Sequence, residues 1–474
     1  MKVYLETMGC QMNVLDSELI CSLLRQAGME MVDDARSADV LLYNTCSVRD
    51  RAENKVHSRL GWACRHKADG VKVIIGVLGC MAQRQGQDLI KQHRGVDIVA
   101  GPGQIARLTD MIHSAAAGAG PQIALDSPRS KTKADDEVEF LDQIRDPSQH
   151  HLPRQAYVRI MRGCDNFCSY CIVPYVRGPE RSRPPEDILE EVRRLADAGV
   201  TQVTLLGQTV NSYRSGGVSL ADLLARLDSV VGLRRIRFVT SYPGSFDRAI
   251  FQAMRALPKV CEFLHIPAQS GSDRVLRAMN RHYSRGEYDD LIAAARQTVP
   301  GVAIVGDFIV GFPGETEEDF AASADLVRRS EYKNSYIFKY SPRPGTAADK
   351  RLTDDVNEQT KRRRNRELLA VQSEVSLTGN RTIIGQSVEV LVEGPSPRAD
   401  KQSKKGGTAC LQAVLHGIRK EHRLQATCAT PRTQLVGRTR TDHIVVFDGP
   451  ENLAGQYTNV KITDATALTL FGQL

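Results

Sequence analysis

From Met1 to about residue 112, short apolar runs alternate with amphipathic stretches. KVYLETMG precedes DSELICSLLRQAG, DVLLYNT precedes VRDRAENKVHSRLGWA, and VKVIIGVLG precedes AQRQGQDLIKQ. A run that is apolar throughout suits a strand buried on both faces, and a following stretch with helical periodicity suits its cover. Residues 1–115 are therefore expected to form a small parallel α/β sheet. Between His113 and Pro153 the pattern lapses into AAAGAGPQ, SPRSKTKADDE and DPSQHHLP, and residues 116–150 read as a linker. Alternation returns at Ala156. AYVRIMRG, TQVTLLG, RRIRFVTS, VCEFLHIP, AIVGDFIVGF and SYIFKYSP are strand candidates, with helical stretches such as PEDILEEVRRLADAG and EEDFAASADLVRRS between them. Six such units over residues 151–376 predict a partial (β/α)6 barrel, fewer than a closed barrel needs. Beyond a basic helix containing KRRRNR (Lys361–Arg366), the runs SVEVLVEG, TQLVGRT, HIVVFDG and YTNVKITDA predict a small β-barrel or sandwich over residues 378–474.

Composition changes this picture little. The chain has 474 residues, 41% hydrophobic and 25% charged, so two or three domains are expected. No run of apolar residues is long enough to span a membrane and the N-terminus lacks a signal-peptide pattern, which predicts a cytoplasmic protein. The net charge is +7, and from Gly379 onward 12 Lys or Arg face 8 Asp or Glu, so over half of that excess sits in the last fifth. A small basic β-domain suits RNA, and a solvated surface explains the charge equally well.

The eleven cysteines carry more information. They are too sparse for a secreted disulfide scaffold, which favours metal-binding thiols. Cys164, Cys168 and Cys171 form a C-x3-C-x2-C run directly after the strand AYVRIMRG, where a barrel's loops point into the mouth. Three thiolates suit a soft metal or an iron-sulfur cluster, whereas structural zinc takes four ligands and no fourth Cys or His follows at matching spacing. A cluster held by three cysteines keeps one iron open. Cys10, Cys46 and Cys80, in TMGCQ, NTCSV and LGCMA, each lie just past a strand of the first domain, and parallel strands bring such positions to one edge.

The run RGCDNFCSYC resembles the radical S-adenosylmethionine superfamily, and the longer RGCDNFCSYCIVPYVRGPERSRP resembles its methylthiotransferase family. TMGCQMN, NTCSVRDRAENKV and GVLGCMAQR are similar to that family's N-terminal domain. FLHIPAQSGSDRVLRAMNRHYSRGEY, DFIVGFPGETEEDF and FKYSPRPGTAA are similar to its barrel, and the last segment to its RNA-binding TRAM-like domain. The resemblance implies two 4Fe-4S clusters, one on Cys164, Cys168 and Cys171, and an auxiliary one on Cys10, Cys46 and Cys80. It also implies S-adenosylmethionine, two per turnover, with a radical derived from the cofactor rather than a classical acid or base as the catalyst. Such chemistry is apt for an aromatic C–H, which no side-chain base deprotonates readily. An electron donor protein and a sulfur source are implied partners. Gly207 and Gln208 match positions where the superfamily contacts the methionine end of the cofactor. Gly306 and Gly311 suit either close approach of its adenosine or a strand bulge.

Phe167 and Tyr170 are expected to shield the cluster, and Cys21, Cys64, Cys261, Cys410 and Cys428 to ligate nothing. Arg177, Arg181 and Arg183 suit substrate phosphates, or carboxylate pairing with Glu180 or Glu186. GQTVNSY, TSYPGSF, HIPAQSGS and DATALTLFG most resemble the branch that methylthiolates carbon 2 of N(6)-dimethylallyladenosine beside the tRNA anticodon. Thr209 and Tyr242 stand where that branch commonly has Asn and His, and extra residues around TACLQAVLHGIRKEHRLQATCATP enlarge the last domain. A methylthiotransferase of a ribosomal protein, or a zinc-containing RNA-binding protein without catalysis, are the alternatives.

Overall fold

A computed structural model describes residues 1–47, 50–126, 141–148, 152–397 and 432–474. Cys410, Cys428, the TACLQAVLHGIRKEHRLQATCATP stretch and the middle of the expected linker lie outside the described residues.

The N-terminal sheet has six parallel strands in the order Glu30–Met31, Lys2–Met8, Val40–Thr45, Ile74–Gly79, Ile98–Ala100, Gln122–Ala124. Strand Val40–Thr45 is buried along its whole length, the consequence of cover on both faces. Val40 and Leu42 pack beneath the helices Gln11–Gln26 and Leu108–Ala116, whereas Leu41 and Tyr43 pack beneath Asp50–Ala68. Part of the expected linker belongs to the fold. Gln122–Ala124 forms the sheet's edge strand, and Leu141, Asp142 and Arg145 are buried where this domain meets the barrel. Polar composition hid Asp142 and Arg145 because their burial is satisfied by charge pairing rather than by apolar periodicity.

Six parallel strands form the partial barrel: Gln155–Arg159, Gln202–Leu206, Arg235–Phe238, Phe263–His265, Ala303–Val310 and Asn334–Lys339. They make two three-stranded ladders, linked by a parallel bridge between Ile236 and Val260. Val158, Val203, Leu205, Ile236, Phe238, Leu264, Ile304 and Phe308 face outward into the helical layer. Capping boxes at Ser219/Asp222, Ser284/Glu287 and Thr316/Asp319 start three of the helices. Four of the five basic residues in the run are paired: Lys361 binds Asp354, Arg362 binds Glu358, Arg363 binds Glu317 and Glu367, and Arg364 binds Glu315 and Glu317.

The C-terminal domain is a closed five-stranded barrel, Ser387–Pro395, Arg432–Arg438, Ile444–Pro450, Thr469–Gln473 and Tyr457–Ala465, filled by Val390, Leu435, Phe447, Ile462 and Leu470. It docks against the N-terminal ends of the larger barrel's strands. Arg235 donates to Glu389 at 2.8 Å and to the carbonyls of Glu389 and Arg438, and Arg237 pairs with Asp442 at 2.7 Å. Arg440 pairs with Glu262, and the guanidinium of Arg234 stacks over the Tyr457 ring. Among the described residues no helix is long and apolar enough to cross a membrane.

Candidate functional site

The docked β-barrel occupies one end of the larger barrel, and the cysteine loop occupies the other, past the C-terminal end of its first strand. Gly163 opens that loop with φ +74, and a Cβ there would lie 1.9 Å from the Pro179 carbonyl oxygen. The close approach lets the Cys164 amide donate to the Gly178 carbonyl at 3.2 Å, so the loop closes on itself. A turn follows, in which the Cys171 amide donates to the Cys168 carbonyl at 3.0 Å. Asn166 Nδ2 donates to Cys164 Sγ at 3.2 Å, Thr209 Oγ1 lies 3.4 Å from the same sulfur, and Arg281 Nη1 donates to Cys168 Sγ at 3.4 Å. Burial and the neighbouring thiols Cys168 and Cys164 push Cys171 up to about 12, a cost that a bound metal removes by taking the thiolate.

Tyr170 packs with Val275, Met279, Phe312 and Tyr340 beneath the loop. Phe167, by contrast, is 51% exposed in a left-handed conformation, so it does not give the shielding expected of it. Asn166 and Arg281 went unnoticed in the sequence. Their only signal was position, between two cluster cysteines and within the MNRHYSRG stretch.

Gly207 sits where a Cβ would meet Met161 Cγ at 2.4 Å, and the neighbouring Gln208 has its carbonyl Oε1 buried with no hydrogen-bond partner among the described residues. The other two glycines have packing explanations. A Cβ on Gly306 would meet the Tyr332 ring at 3.0 Å, on the face that Ile304 and Phe308 turn to the helices. Gly311, at φ +71, lies against Lys361 with its amide donating to Glu315 at 2.6 Å. Strand parity thus turns Gly306 away from the lumen, and a backbone turn accounts for Gly311.

In the N-terminal domain the sheet register brings the second triad together. Met8, Thr45 and Gly79 lie side by side at the ends of three neighbouring strands, and Cys10, Cys46 and Cys80 follow them. Gly9 and Gly79 permit the crowding, since added Cβ atoms would lie 2.8 Å from Cys46 Cβ and 2.6 Å from the Thr45 carbonyl respectively. Asn13 secures the edge: Cys10 Sγ donates to its Oδ1 at 3.2 Å, and its Nδ2 donates to Asn44 Oδ1 and the Thr45 carbonyl, both at 3.0 Å. A hydrogen bond with Cys46 pulls Cys10 down to about 5, while burial pushes Cys80 up. Cys10 thus feels Cys46, and Cys80 feels Cys10. Cys21, Cys64 and Cys261 lie apart from both triads, beside Arg25, Gly95 and Arg237 respectively.

Arg177 and Arg183 do not face phosphate, nor do they pair with Glu180 or Glu186. Arg177 binds Asp16 at 3.0 Å, and Arg183 binds Glu191 at 2.7 Å and Asp142 at 3.4 Å. Arg159 joins Asp142 at 2.8 Å and Asp16 at 3.6 Å, and Arg145 joins Glu191 at 3.1 Å and Glu18. Four arginines and four carboxylates are thus buried between the N-terminal domain and the barrel. Removing one partner from such a network leaves an uncompensated buried charge. Arg181 lies in the short ladder Arg181–Ser182 with Met161–Arg162.

Comparison with known proteins agrees with this division. The Radical SAM superfamily model matches residues 158–327, Uncharacterized protein family UPF0004 matches residues 2–101, and the TRAM domain matches residues 428–474. A Rhodopirellula baltica protein named tRNA-2-methylthio-N(6)-dimethylallyladenosine synthase is 45% identical, over 100% of this chain and 95% of its own. Proteins of the same name from Moorella thermoacetica (40%, 99% and 97% covered) and Porphyromonas gingivalis (41%, 100% and 95% covered) are also similar. Among solved structures, the radical S-adenosylmethionine methyltransferase TsrM from Kitasatospora setae, with cobalamin and a [4Fe-4S] cluster bound, superposes with a TM-score of 0.54. It is 15% identical and covers 73% of this chain and 74% of its own, a likeness of fold. Full-length identity at this level, with matching domains in matching order, shows that the chain belongs to the methylthiotransferase family of radical S-adenosylmethionine enzymes.

Proposed function

We propose that this enzyme replaces the hydrogen on carbon 2 of N(6)-dimethylallyladenosine, beside the anticodon of tRNA, with a methylthio group. The observation that carries the reading is the presence of two cysteine triads, one on the barrel loop and one on the sheet edge, in domains joined by a buried charge network. The relatives' shared name supplies the substrate.

The residues fit two clusters better than zinc. One zinc ion needs its ligands around a single point at about 2.3 Å from sulfur, whereas a cubane spreads three thiolates over three irons. Each site offers three cysteines, one short of the four ligands that a structural zinc takes. Cys164, Cys168 and Cys171 would hold the cluster that binds S-adenosylmethionine, and Cys10, Cys46 and Cys80 the auxiliary one. When bound, these groups supply the radical and sulfur chemistry. The chain's own residues position it. Asn166, Thr209 and Arg281 orient the loop sulfurs, and the orphaned Gln208 Oε1 offers an acceptor for the amino group of the cofactor. The TRAM domain and the exposed surface around it receive tRNA, whose anticodon-loop base is already partly unstacked and cheap to extrude. An electron donor protein and a sulfur source complete the reaction, in the cytoplasm where tRNA is found.

The test counts iron in protein reconstituted without oxygen, followed by an assay with S-adenosylmethionine and tRNA bearing the dimethylallyl group. About eight irons are expected, falling to about four in either Cys10→Ala or Cys164→Ala. Product formed on a ribosomal protein and not on tRNA, or zinc in place of iron, would overturn the reading.

A further inference from the structure

One short segment touches both triads. Its barrel cysteines end at Cys171, and Ile172 with the helix Val173–Val176 follows at once. Ile172 and Val176 enclose Cys80 in an apolar seam between the domains. Arg177 comes next, and its side chain is only 7% exposed. Its Nη2 donates to Asp16 Oδ2 at 3.0 Å, and the guanidinium lies within electrostatic reach of Cys80 and Cys10. Of the two arginines paired with Asp16, Arg159 is the farther at 3.6 Å. A cation carried by the loop of one triad is therefore committed to the other.

Resting on the reading of Cys10, Cys46 and Cys80 as cluster ligands, we infer that Arg177 is a positioning residue of the auxiliary cluster, placing its buried charge beside Cys80 and so setting the cluster's reduction potential. Reduction adds a negative charge to a cluster already carrying three thiolates. Net charge and hydrogen bonds to sulfur are the protein's levers on that step, and burial keeps the interaction with a guanidinium strong. Arg177 therefore favours the reduced form. Asp16 opposes it, while fixing the direction of the guanidinium fork.

The test uses the full chain with Cys164→Ala, reconstituted without oxygen so that only the N-terminal triad holds iron, and measures the midpoint potential by redox titration with electron paramagnetic resonance. Arg177→Met is expected to favour the oxidised form at least tenfold, a shift of about 59 mV or more to the negative for one electron. Asp16→Asn is expected to shift the midpoint to the positive, and Arg177→Lys, which keeps the charge, to restore most of the loss. An unchanged midpoint in both Arg177→Met and Asp16→Asn, with iron retained, overturns the inference. Should Arg177→Met lose its iron, Asp16→Asn decides: a positive shift supports the role and no shift overturns it. Absence of iron from the Cys164→Ala protein itself would instead remove the cluster reading on which the role rests.

Discussion

Gly163→Ala tests whether the cysteine loop holds its ligands only in the closed form seen here. At φ +74 any L side chain costs about 1–2 kcal/mol. The new Cβ would also lie 1.9 Å from the Pro179 carbonyl oxygen, a backbone atom that no rotamer change can move aside. Overpacking of that kind adds about 1–3 kcal/mol. At about 1.4 kcal/mol per factor of ten, the closed loop is disfavoured by roughly one and a half to three and a half orders of magnitude. Gly178 supplies an internal control, because it shares φ +74 in the same loop but has nothing within 4 Å of an added Cβ. Iron analysis after reconstitution should show Gly163→Ala losing about four of about eight irons, the share of one cluster. Gly178→Ala should keep nearly all of them, and circular dichroism should show both folded. Equal iron in the two variants would refute the argument, since backbone conformation alone would then explain everything and the Pro179 contact nothing.

Other consequences are simpler to state. Arg183→Met should destabilise the junction of domain and barrel by about 3–5 kcal/mol, read from the denaturant midpoint of the apoprotein, because Asp142 and Glu191 lose a buried partner. Phe308→Ala, at a fully buried outward position of the barrel, should cost about 3–5 kcal/mol in the same measurement. Asp442 predicts a pH dependence of β-barrel docking. Burial pushes its carboxyl up, but Arg237, Lys333 and Arg438 outweigh that and hold it at about 2, below the ordinary 3.8. A depressed folded value means that the stabilisation is present above the ordinary value and is lost as pH falls from about 4 towards 2. Asp442→Asn should therefore cost on the order of 2 kcal/mol at pH 7. Its difference from the native chain should vanish across that acid window, and a difference independent of pH would contradict the assignment.

What the sequence by itself determined is largely local. Period-two and period-3.6 patterns repeat over a few residues, so the alternation of strands and helices, the six-unit barrel and the terminal β-domain were readable without any long-range contact. The two triads were readable for local reasons too: Cys164, Cys168 and Cys171 share one short loop, and Cys10, Cys46 and Cys80 each sit just past a strand, where parallel strands align their ends. Charge was not readable in this way. Arg177 and Asp16 stand 161 positions apart, and a guanidinium in sequence carries no mark of whether water, phosphate or a buried carboxylate will meet it. Only the packing of the domains turned Arg177 and Arg183 inward and drew Asp142 and Arg145 out of an apparent linker. Gly306 and Gly311 show the same limit. A glycine declares room for something, and the identity of the neighbour, Tyr332 or Lys361, is decided by strand parity and by the helix that crosses above. Desolvation is the common cause, because a polar group's energy depends on what surrounds it in three dimensions, while secondary-structure preference depends on what flanks it in one.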